Sequence, residues 1–543
     1  MIRADAGLTI VLCGGPLNPT NVPIGRHGSN AMVPINGKPV IGWIFDDLVA
    51  KGLGSAVVVL RRANERVADF LVRAFDGRID VATVFLDRDG SILDSLAAGL
   101  RGRTEDGPVR VILGDTLIRD AFDGDGDFIY AGDVEDSRRW CVVTTNAEGH
   151  ADAFADKREL PGHSHRAVAG YYHFSDRALL ARCLDGAIGG GERELSAVLA
   201  RYGAARPIAV RQARQWYDFG HIDTCVRAKR ELLQCRFFNS LAVDPILNTI
   251  TKVSTDNEKL EDELSWYLNI PEELKVLTPR IVSHRHIDGN LEIVQEYYGY
   301  PTLAELFVYS GLAPDAWRAI LRHVLRIHDQ FRRYPTEVCR AEIVQMYAGK
   351  TRARLDALAA ADPDWCRLLS LPSLTCDGRR LRNVPQLWAD IDRAAEALAD
   401  TAIPAVVHGD FCFSNILFDF NNQIVRLIDP RGRFGRRGIG GDARYDLAKL
   451  RHSAHGLYDF IVADMFQFDW HGDEVTTSIP AADSAVEVAA LFDELLQDDG
   501  HDVRAIQQIE GLLFLSMVPL HRGHRRRQQM MFFTGLKLLN EAL

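Results

Sequence analysis

At 543 residues the chain is too long for a single hydrophobic core, and its length predicts two to four domains. A composition of 47% hydrophobic and 25% charged residues is typical of a soluble globular protein. The formal net charge of −11 argues against non-specific binding to nucleic acid or to an anionic membrane.

No segment reaches the roughly 18 consecutive apolar residues of a membrane span, and the first apolar run, which ends in glycines, indicates a buried strand and not a signal peptide. The nine cysteines form no CxxC pair, which favours a reducing cytoplasm without disulfides or a zinc site. We therefore expect a cytoplasmic protein with small-molecule substrates, no nucleic-acid partner and no membrane insertion. Homo-oligomerisation stays open.

Apolar runs alternate with helical stretches from Leu8 to about Phe174. The runs LTIVLC, SAVVVLRR, DVATVFL and VRVILGD indicate strands, and PVIGWIFDDLVAKG, NERVADFLVRAF and SILDSLAAGLR indicate helices. This order predicts an α/β fold with a doubly wound, mainly parallel sheet, whose ligand lies beyond the carboxyl ends of the strands. Gly14, Gly15 and Asp115 follow two of these strands directly.

A different pattern begins after a helical stretch at about 228–240. The short strands NTITKV, RIVSHRHI and LEIVQEYY precede long helical stretches that run almost to the last residue. These elements predict an α+β lobe followed by a helical lobe. We place a first domain at 1–232 and a second, bilobal domain at 233–543, with the small lobe at about 233–300 and the helical lobe at about 301–543.

The most specific motif is VVHGDFCFSNILFDFNNQIVRLIDPRG at 406–432. His408, Asp410 and Asn415 form an H-x-D-x-x-x-x-N pattern, and Asp429 follows the apolar run IVRLI. Phosphoryl transfer needs a carboxylate beside the acceptor hydroxyl and ligands for the Mg²⁺ that bridges the nucleotide phosphates. Asp410 suits the first role, and Asn415 and Asp429 suit the second.

With this motif, residues from about 236 to 541 resemble the aminoglycoside phosphotransferase and choline kinase family. The resemblance implies an ATP cleft in which Lys252 holds the α- and β-phosphates and pairs with Glu263. Glu261 is a close alternative to Glu263, and Lys259 a weaker alternative to Lys252. His408 belongs to the same catalytic set.

The resemblance also implies a hinge around Glu296 to Tyr298 that holds adenine through backbone groups, and a bracing role for Asp446. The loop FFNSLAVDPILN lacks G-x-G-x-x-G, and no APE-like segment follows IDPRG, so the acceptor is expected to be a small hydroxyl compound. The aromatic residues of 464–473 form either a helix–helix core followed by a loop, which we favour, or a pocket for a quaternary amine.

Residues 8 to about 228 resemble nucleotidyltransferases that join a sugar phosphate or phosphocholine to a nucleotide and release pyrophosphate, with a GT-A-like fold. The segments IVLCGG, DGSILDSLAAGL, VRVILGDT, DKRELPGHSHRAVAGYYHF and QWYDFGHIDT carry this resemblance. It implies metal ligands at Asp115 and Asp218, with Asp223 as the alternative to Asp218. The implied nucleotide contacts are Leu12, Gly14, Gly15, Gly90 and Ser91, and the implied acceptor contacts are Lys157 and Gly170.

The first loop departs from the nucleotidyltransferase pattern, which has an arginine and a lysine near the phosphates. GGPLNPT places Asn18 or a neighbour in the arginine position, and SNAM places Asn30 in the lysine position. Arg26 or Lys38 can supply the phosphate-binding charge in a divergent but active enzyme. Alternatively, the domain binds its ligand without efficient turnover, or it catalyses another metal-dependent reaction such as glycosyl transfer.

Together the two halves predict a bacterial enzyme that phosphorylates a small alcohol or sugar with ATP and then couples the phosphate to an NTP. The product is expected to be an activated donor for surface polysaccharide or lipid decoration. Mg²⁺, ATP and one of CTP, UTP, GTP or dTTP are the expected cofactors and substrates. Phosphocholine and a hexose or heptose phosphate both remain candidates, and a kinase with a regulatory front domain is the competing hypothesis.

Overall fold

The structure is a computed structural model that describes residues 7–15, 29–88, 90–103, 107–122, 124, 126–233, 240–254, 256–471, 474–479 and 483–543. The chain divides into two compact units, Met1–Lys229 and Arg230–Leu543. The division falls inside the helix Ile222–Leu233. No helix of the described residues is long and apolar enough to cross a membrane.

A nine-stranded mixed sheet forms the centre of the first unit. In one half all strands run parallel: Leu8–Leu12 lies between Ser55–Arg61 and Val109–Leu113, and Asp80–Leu86 lies at the edge. In the other half His165–Phe174 pairs antiparallel with Val109–Leu113, Phe128–Val134 and Cys141–Thr145. Ala151–Asp156 extends this half antiparallel to Cys141–Thr145, and Ala209–Gln212 extends it parallel to Phe128–Val134. The α/β class is confirmed, whereas the sheet is more mixed than the strand–helix alternation predicts.

The helices Glu65–Ala74, Ile92–Leu100 and Leu195–Ala205 pack against strands of this sheet. The other helices of this part of the chain are Val40–Ala50, Arg177–Gly189 and Ile222–Leu233. Short strand pairs, Pro34–Ile35 with Lys38–Pro39 and Thr116–Ile118 with Trp216–Asp218, lie beside the main sheet. Ser91 and Asp94 form a capping box at the start of Ile92–Leu100, which fixes that helix at the carboxyl edge of the parallel strands.

The second unit begins with a four-stranded antiparallel sheet in the order Ser240–Asp244, Thr249–Val253, Asn290–Glu296 and Ile281–Ile287. The helix Asn257–Asn269 packs on it through Leu260 and Leu264, which contact Leu291 and Ile293. A short helix, Glu272–Lys275, follows. This is the expected α+β lobe.

The rest of the second unit is mainly helical. Its helices are Leu303–Glu305, Pro314–Arg332, Arg340–Val344, Lys350–Ala361, Pro363–Ser370, Val384–Asp400, Ala443–Ala454, Tyr458–Val462, Asp483–Asp498, Val503–Met517 and Arg525–Ala542. Every residue of Ala443–Ala454 is buried, so this helix forms the centre of the lobe. The strand pair Pro404–Val406 with Gly440–Asp442 flanks the motif at 406–432, and the pair Ile416–Asp419 with Ile424–Leu427 lies within it.

A second four-stranded sheet interrupts the helical lobe. Its strands are Arg379–Arg382, Ser373–Cys376, Glu474–Ser478 and Gln467–His471. Phe468 and Trp470 lie on the last of these strands and pack against Phe533, each with ring centroids 5.9 Å apart. The interpretation of 464–473 as a helix–helix core and loop was therefore wrong, because five of these residues alternate along a strand whose aromatic rings cover a helix.

Candidate active sites

A buried ion pair links the small lobe to the end of the motif at 406–432. The Nζ of Lys252, on the strand Thr249–Val253, lies 2.6 Å from Glu263 Oε1 and 2.6 Å from Asp429 Oδ1. Glu261, the alternative partner, instead contacts Arg437 at 3.2 Å. The helix Asn257–Asn269 therefore turns Glu263, and not Glu261, toward the lysine.

The two carboxylates keep the lysine charged. Burial alone would lower the pKa of Lys252, but Asp429 and Glu263 outweigh it and raise that pKa above its ordinary value. Burial raises the pKa of Glu263 to about 6 even though Lys252 opposes the shift. The Asp429 side chain is half exposed, so one face of this cluster is open to a ligand.

Asp410 is held by two neighbours. Lys449 Nζ lies 2.9 Å from Asp410 Oδ1, and Asn415 Nδ2 donates to the Asp410 carbonyl at 2.9 Å and to Oδ2 at 3.0 Å. Burial would raise the pKa of the Asp410 carboxyl, but Lys449 outweighs burial and holds it below its usual range. Asp410 is therefore an anion of fixed orientation at neutral pH.

The backbone around Asp410 is braced from the central helix. Asp446 accepts hydrogen bonds from the backbone N–H groups of His408 at 2.7 Å and Gly409 at 2.9 Å. Gly409 has φ +77°, a conformation that favours glycine. His408 is completely buried beside Trp266, and burial lowers its pKa to about 4, so it is neutral. A buried, neutral imidazole suits a positioning role better than proton transfer.

Asn415 and Asp429 have the chemistry of magnesium ligands. The Asn415 amide donates through Nδ2, which leaves Oδ1 as its metal-binding atom, and Asp429 presents a half-exposed carboxylate. In the part of the chain that the structure describes, no group of three His, Cys, Asp or Glu side chains is placed to hold a metal alone. These residues fit Mg²⁺ whose remaining ligands are phosphate oxygens and water.

The first unit contains a cavity of about 330 Å³ at the carboxyl edge of its parallel strands. Its lining includes all five predicted nucleotide contacts together with Asp115 and Asn30. The lining residues are Leu12, Cys13, Gly14, Gly15, Ser29, Asn30, Ala31, Gly90, Ser91, Ile92, Ser95, Leu113, Gly114, Asp115, Arg193 and Glu194.

Arg193 and Glu194 are charged residues of the cavity lining that the sequence did not predict. They lie between the helices Arg177–Gly189 and Leu195–Ala205, about 100 residues after Ser91 in the chain. The glycine run at 189–191 directly before them is a loop signal, but it does not indicate which way the loop faces.

The carboxylates of Asp115 and Asp218 both lie next to Gly220. An added Cβ at Gly220 would be 3.3 Å from Asp115 Oδ2 and 3.4 Å from Asp218 Oδ1. Burial and then the charge of Asp218 raise the pKa of Asp115 to about 6, and a hydrogen bond from the Asn30 side chain opposes this shift. Two carboxylates this close to the same glycine fit a divalent cation.

One carboxylate oxygen of Asp218 has two polar neighbours. His221 Nδ1 lies 2.8 Å and Thr224 Oγ1 2.6 Å from Asp218 Oδ2. Asp223, the alternative ligand, forms a bidentate ion pair with Arg139 at 2.7 and 2.9 Å. The geometry therefore brings Asp218, and not Asp223, to Asp115.

The other predicted phosphate and acceptor contacts are more dispersed. The half-exposed Lys38 pairs with Asp46 and does not line the cavity, and Arg26 lies outside the described residues. Lys157 is exposed, and its backbone N–H donates to Trp140 O at 2.8 Å. Gly170, at φ +88°, lies at an irregularity of His165–Phe174 beside Leu113 and Thr116.

Fold and sites together define a transferase with two distinct units. Residues 9–235 match the nucleotidyl transferase family model, and residues 250–470 match the model of the phosphotransferase enzyme family. Both resemblances are thereby confirmed, and the architecture is that of a nucleotidyltransferase joined to a phosphotransferase.

No curated protein matches the chain. Among solved structures, one from Bacillus anthracis described as a glucose-1-phosphate thymidylyltransferase in complex with sucrose is 18% identical. The match covers 43% of this chain and 97% of that one, with a TM-score of 0.37.

Proposed function

We propose that the chain phosphorylates a small alcohol or sugar with ATP and couples the resulting phosphate to an NTP. The observation that carries the proposal is the arrangement of Lys252, Glu263 and Asp429 in the same unit as the Asp410–Asn415 pair. It supplies a phosphate-binding cation, an anion for the acceptor hydroxyl and two magnesium ligands.

In the kinase reaction the acceptor hydroxyl oxygen attacks the γ-phosphorus of ATP. The new oxygen–phosphorus bond replaces the bond to the β–γ bridging oxygen, and ADP leaves. Asp410 orients the hydroxyl and receives its proton, while Lys252 holds the α- and β-phosphates. Asn415 and Asp429 would hold Mg²⁺, which offsets the negative charge of the phosphates.

In the nucleotidyl transfer a phosphate oxygen of the acceptor attacks the α-phosphorus of the NTP, and pyrophosphate leaves. Asp115 and Asp218 would hold Mg²⁺ at that position, and the glycines of the cavity leave room for nucleotide against the backbone. Asn30 supplies a hydrogen bond to Asp115 in the position where the nucleotidyltransferase pattern has a lysine. Arg193 is the cationic residue that supports anion binding in the described lining.

The proposed product is a nucleotide-linked donor for bacterial surface polysaccharide or lipid decoration, made in the cytoplasm. A kinase and a nucleotidyltransferase in one chain keep the phosphorylated intermediate at a raised local concentration. CTP, UTP, GTP and dTTP remain the candidate nucleotides.

The nucleotidyl transfer proposed for the first unit is tested by measuring pyrophosphate release from each Mg-NTP with a panel of phosphorylated acceptors. We expect release by the wild type and a loss of about 10²- to 10⁴-fold in Asp218→Asn, which removes half of the metal site. Arg193→Gln should lower kcat/KM about 10- to 100-fold, the usual cost of one charged hydrogen bond. Arg201→Gln, an exposed arginine outside the cavity, is the matched control and should leave release unchanged.

A second candidate function is favoured by the contact between Asn30 and Asp115. A neutral amide in this position binds an anion less strongly than an ammonium does, which suits a unit that binds nucleotide or sugar phosphate and regulates the kinase. Absence of pyrophosphate release with every NTP, together with NTP binding that changes the rate of ADP release, would favour this regulatory module. A metal-dependent glycosyl transfer would appear instead as release of NDP from a nucleotide sugar.

A further inference from the structure

Four basic side chains form a cluster in the second unit that reaches Asp410 through Lys449. Lys350 and Arg354 lie one turn apart on the helix Lys350–Ala361, Arg431 follows Asp429 in the chain, and Lys449 lies on the central helix. The charges of Arg431, Arg354, Lys449 and Asp410 all act on the Lys350 ammonium. The Arg431 side chain also adjoins the catalytic backbone, because an added Cβ at Gly409 would meet Arg431 Cβ at 2.9 Å.

Lys449 is the member of this cluster that has an acidic partner, Asp410. The others contact neutral groups: Arg354 donates to Ser516 O at 2.9 Å, Arg431 to Tyr445 OH at 3.2 Å, and Lys350 Nζ lies 3.8 Å from Met346 Sδ. Among the described residues, no carboxylate forms an ion pair with Lys350, Arg354 or Arg431.

Elsewhere in the same lobe a buried arginine forms ion pairs with two carboxylates. Arg451, two residues after Lys449, pairs with Asp493 at 2.8 Å and also with Glu510. The lobe therefore neutralises a buried arginine where the arginine supports the fold. The cluster near Asp410 differs, because it contains three partly buried basic side chains, Lys350, Arg354 and Arg431, without an ion pair to a carboxylate among the described residues.

This arrangement is costly without an additional anion. Like charges one helical turn apart repel, and partly buried charges without a partner lose hydration. Burial, followed by the charges of Arg431, Arg354 and Lys449, holds the pKa of Lys350 well below its ordinary value. A ligand with a negative charge at this position would relieve the repulsion and restore the charged lysine.

We propose that the acceptor of the kinase carries an anionic group, a phosphate ester or a carboxylate, which Lys350, Arg354 and Arg431 bind while its hydroxyl faces Asp410. The inference rests on the proposed kinase function and names its substrate class. The anionic group does not react: the hydroxyl oxygen takes the γ-phosphoryl group, its proton passes to Asp410, and ADP leaves. A cationic acceptor such as an amino alcohol would be repelled by the same side chains.

The first test measures binding of inorganic phosphate to the full chain by calorimetry, with Mg²⁺ and a non-hydrolysable ATP analogue saturating the nucleotide cleft. We expect Lys350→Met and Arg354→Gln each to weaken phosphate binding about 10- to 100-fold. Arg352→Gln is the matched control, because Arg352 lies on the same helix and pairs with Asp392 at 2.9 Å. It should bind phosphate as the wild type does. Wild-type affinity in both cluster variants, or no binding by the wild type, would overturn the proposal.

The second test compares ADP release with four acceptors: glucose 6-phosphate, gluconate, glucose and choline. Comparison of glucose 6-phosphate with gluconate distinguishes a site for a phosphate ester from a site for a carboxylate. We expect kcat/KM for an anionic acceptor to exceed that for the neutral and cationic ones by at least about tenfold. Lys350→Met should abolish this preference by raising KM for the anionic acceptor. Equal or better turnover of glucose or choline would overturn the proposal. Loss of phosphate binding in both variants without ADP release from any acceptor would count against the kinase activity and support the anion site.

Discussion

Asp410 has a carboxylate that is set up as an anion before any substrate arrives. Its two oxygens face Lys449 and the Asn415 amide. The Asp446 carboxylate accepts a hydrogen bond from the backbone N–H of His408, two residues before Asp410. A carboxylate of low pKa is a weak base, so in the proposed kinase reaction its main contribution would be to orient the acceptor hydroxyl and to take the proton late in the transfer.

The substitution Asp410→Asn tests this role. We expect ADP release to fall about 10²- to 10⁴-fold, the usual contribution of a positioned acid or base, while ATP binding persists because Lys252, Glu263 and Asp429 are unchanged. The measurements are ADP release with the accepted substrate and the Kd of ATP. Asp392→Asn, an exposed carboxylate, is the control, and undiminished turnover in Asp410→Asn would contradict the assignment.

The sequence predicts the site residues that lie close together in the chain and misses those that folding brings together from distant segments. Asp410, Asn415 and Asp429 share one short motif, so their spacing alone brings them together. Arg193, Lys350 and Arg354 come from separate loops and helices, and their sequences resemble ordinary solvated faces. Only the packing of distant elements turns those charges toward a site.

At the scale of elements, the turn after Asp429 sets the position of the helix Asn257–Asn269. Gly432 has φ +63°, and an added Cβ would lie 1.9 Å from the backbone oxygen of Asp262. The glycine therefore lets the turn touch the helix that carries Glu263. This contact connects the end of the motif with the Lys252–Glu263 pair.

We expect Gly432→Ala to displace this helix, to raise the KM for ATP and to lower the melting temperature. Gly500→Ala is the matched control, since Gly500 has φ +74° but nothing within 4 Å of an added Cβ. Each variant pays about 1–2 kcal/mol for alanine in the left-handed region, and only Gly432→Ala adds a clash. Equal effects of the two variants on melting and on KM would show that the contact does not position the helix.

The elements themselves were predicted unevenly. The alternation of strands and helices up to about 174 predicts the parallel half of the first sheet, because period and length are local signals. The strand Gln467–His471 was missed, since its five residues lie in a helical region and pair with Glu474–Ser478 and, through that strand, with Ser373–Cys376 about 90 residues earlier. Such a non-local pairing leaves little trace in a short stretch of sequence.

On the scale of the whole molecule, two transferase units share one chain, and each contains the residues of its own candidate site. The proposed sequence of reactions then predicts that the two activities are separable and that the intermediate can pass between chains. The described residues proposed for each site all belong to that site's own unit.

A mixture of two inactive variants tests this prediction. With alcohol, ATP and NTP present, neither Asp410→Asn nor Asp218→Asn alone should form the nucleotide-linked product, because each lacks one reaction. The mixture should restore product, measured by chromatography and mass spectrometry, at a rate limited by diffusion of the intermediate. Full product from Asp218→Asn alone would mean that the first unit does not catalyse the transfer.

The hydrogen bond from Asn30 to Asp115 bears on how the first unit would neutralise a nucleotide. An amide contributes no net charge, so in the proposed nucleotidyl transfer a triphosphate would depend more heavily on its bound Mg²⁺ than it would beside a lysine. Nucleotide affinity of the first unit should then vary steeply with the concentration of free magnesium. When free magnesium in the cell falls, the proposed nucleotidyl transfer would slow early. The rate of the first unit would then respond to the magnesium concentration.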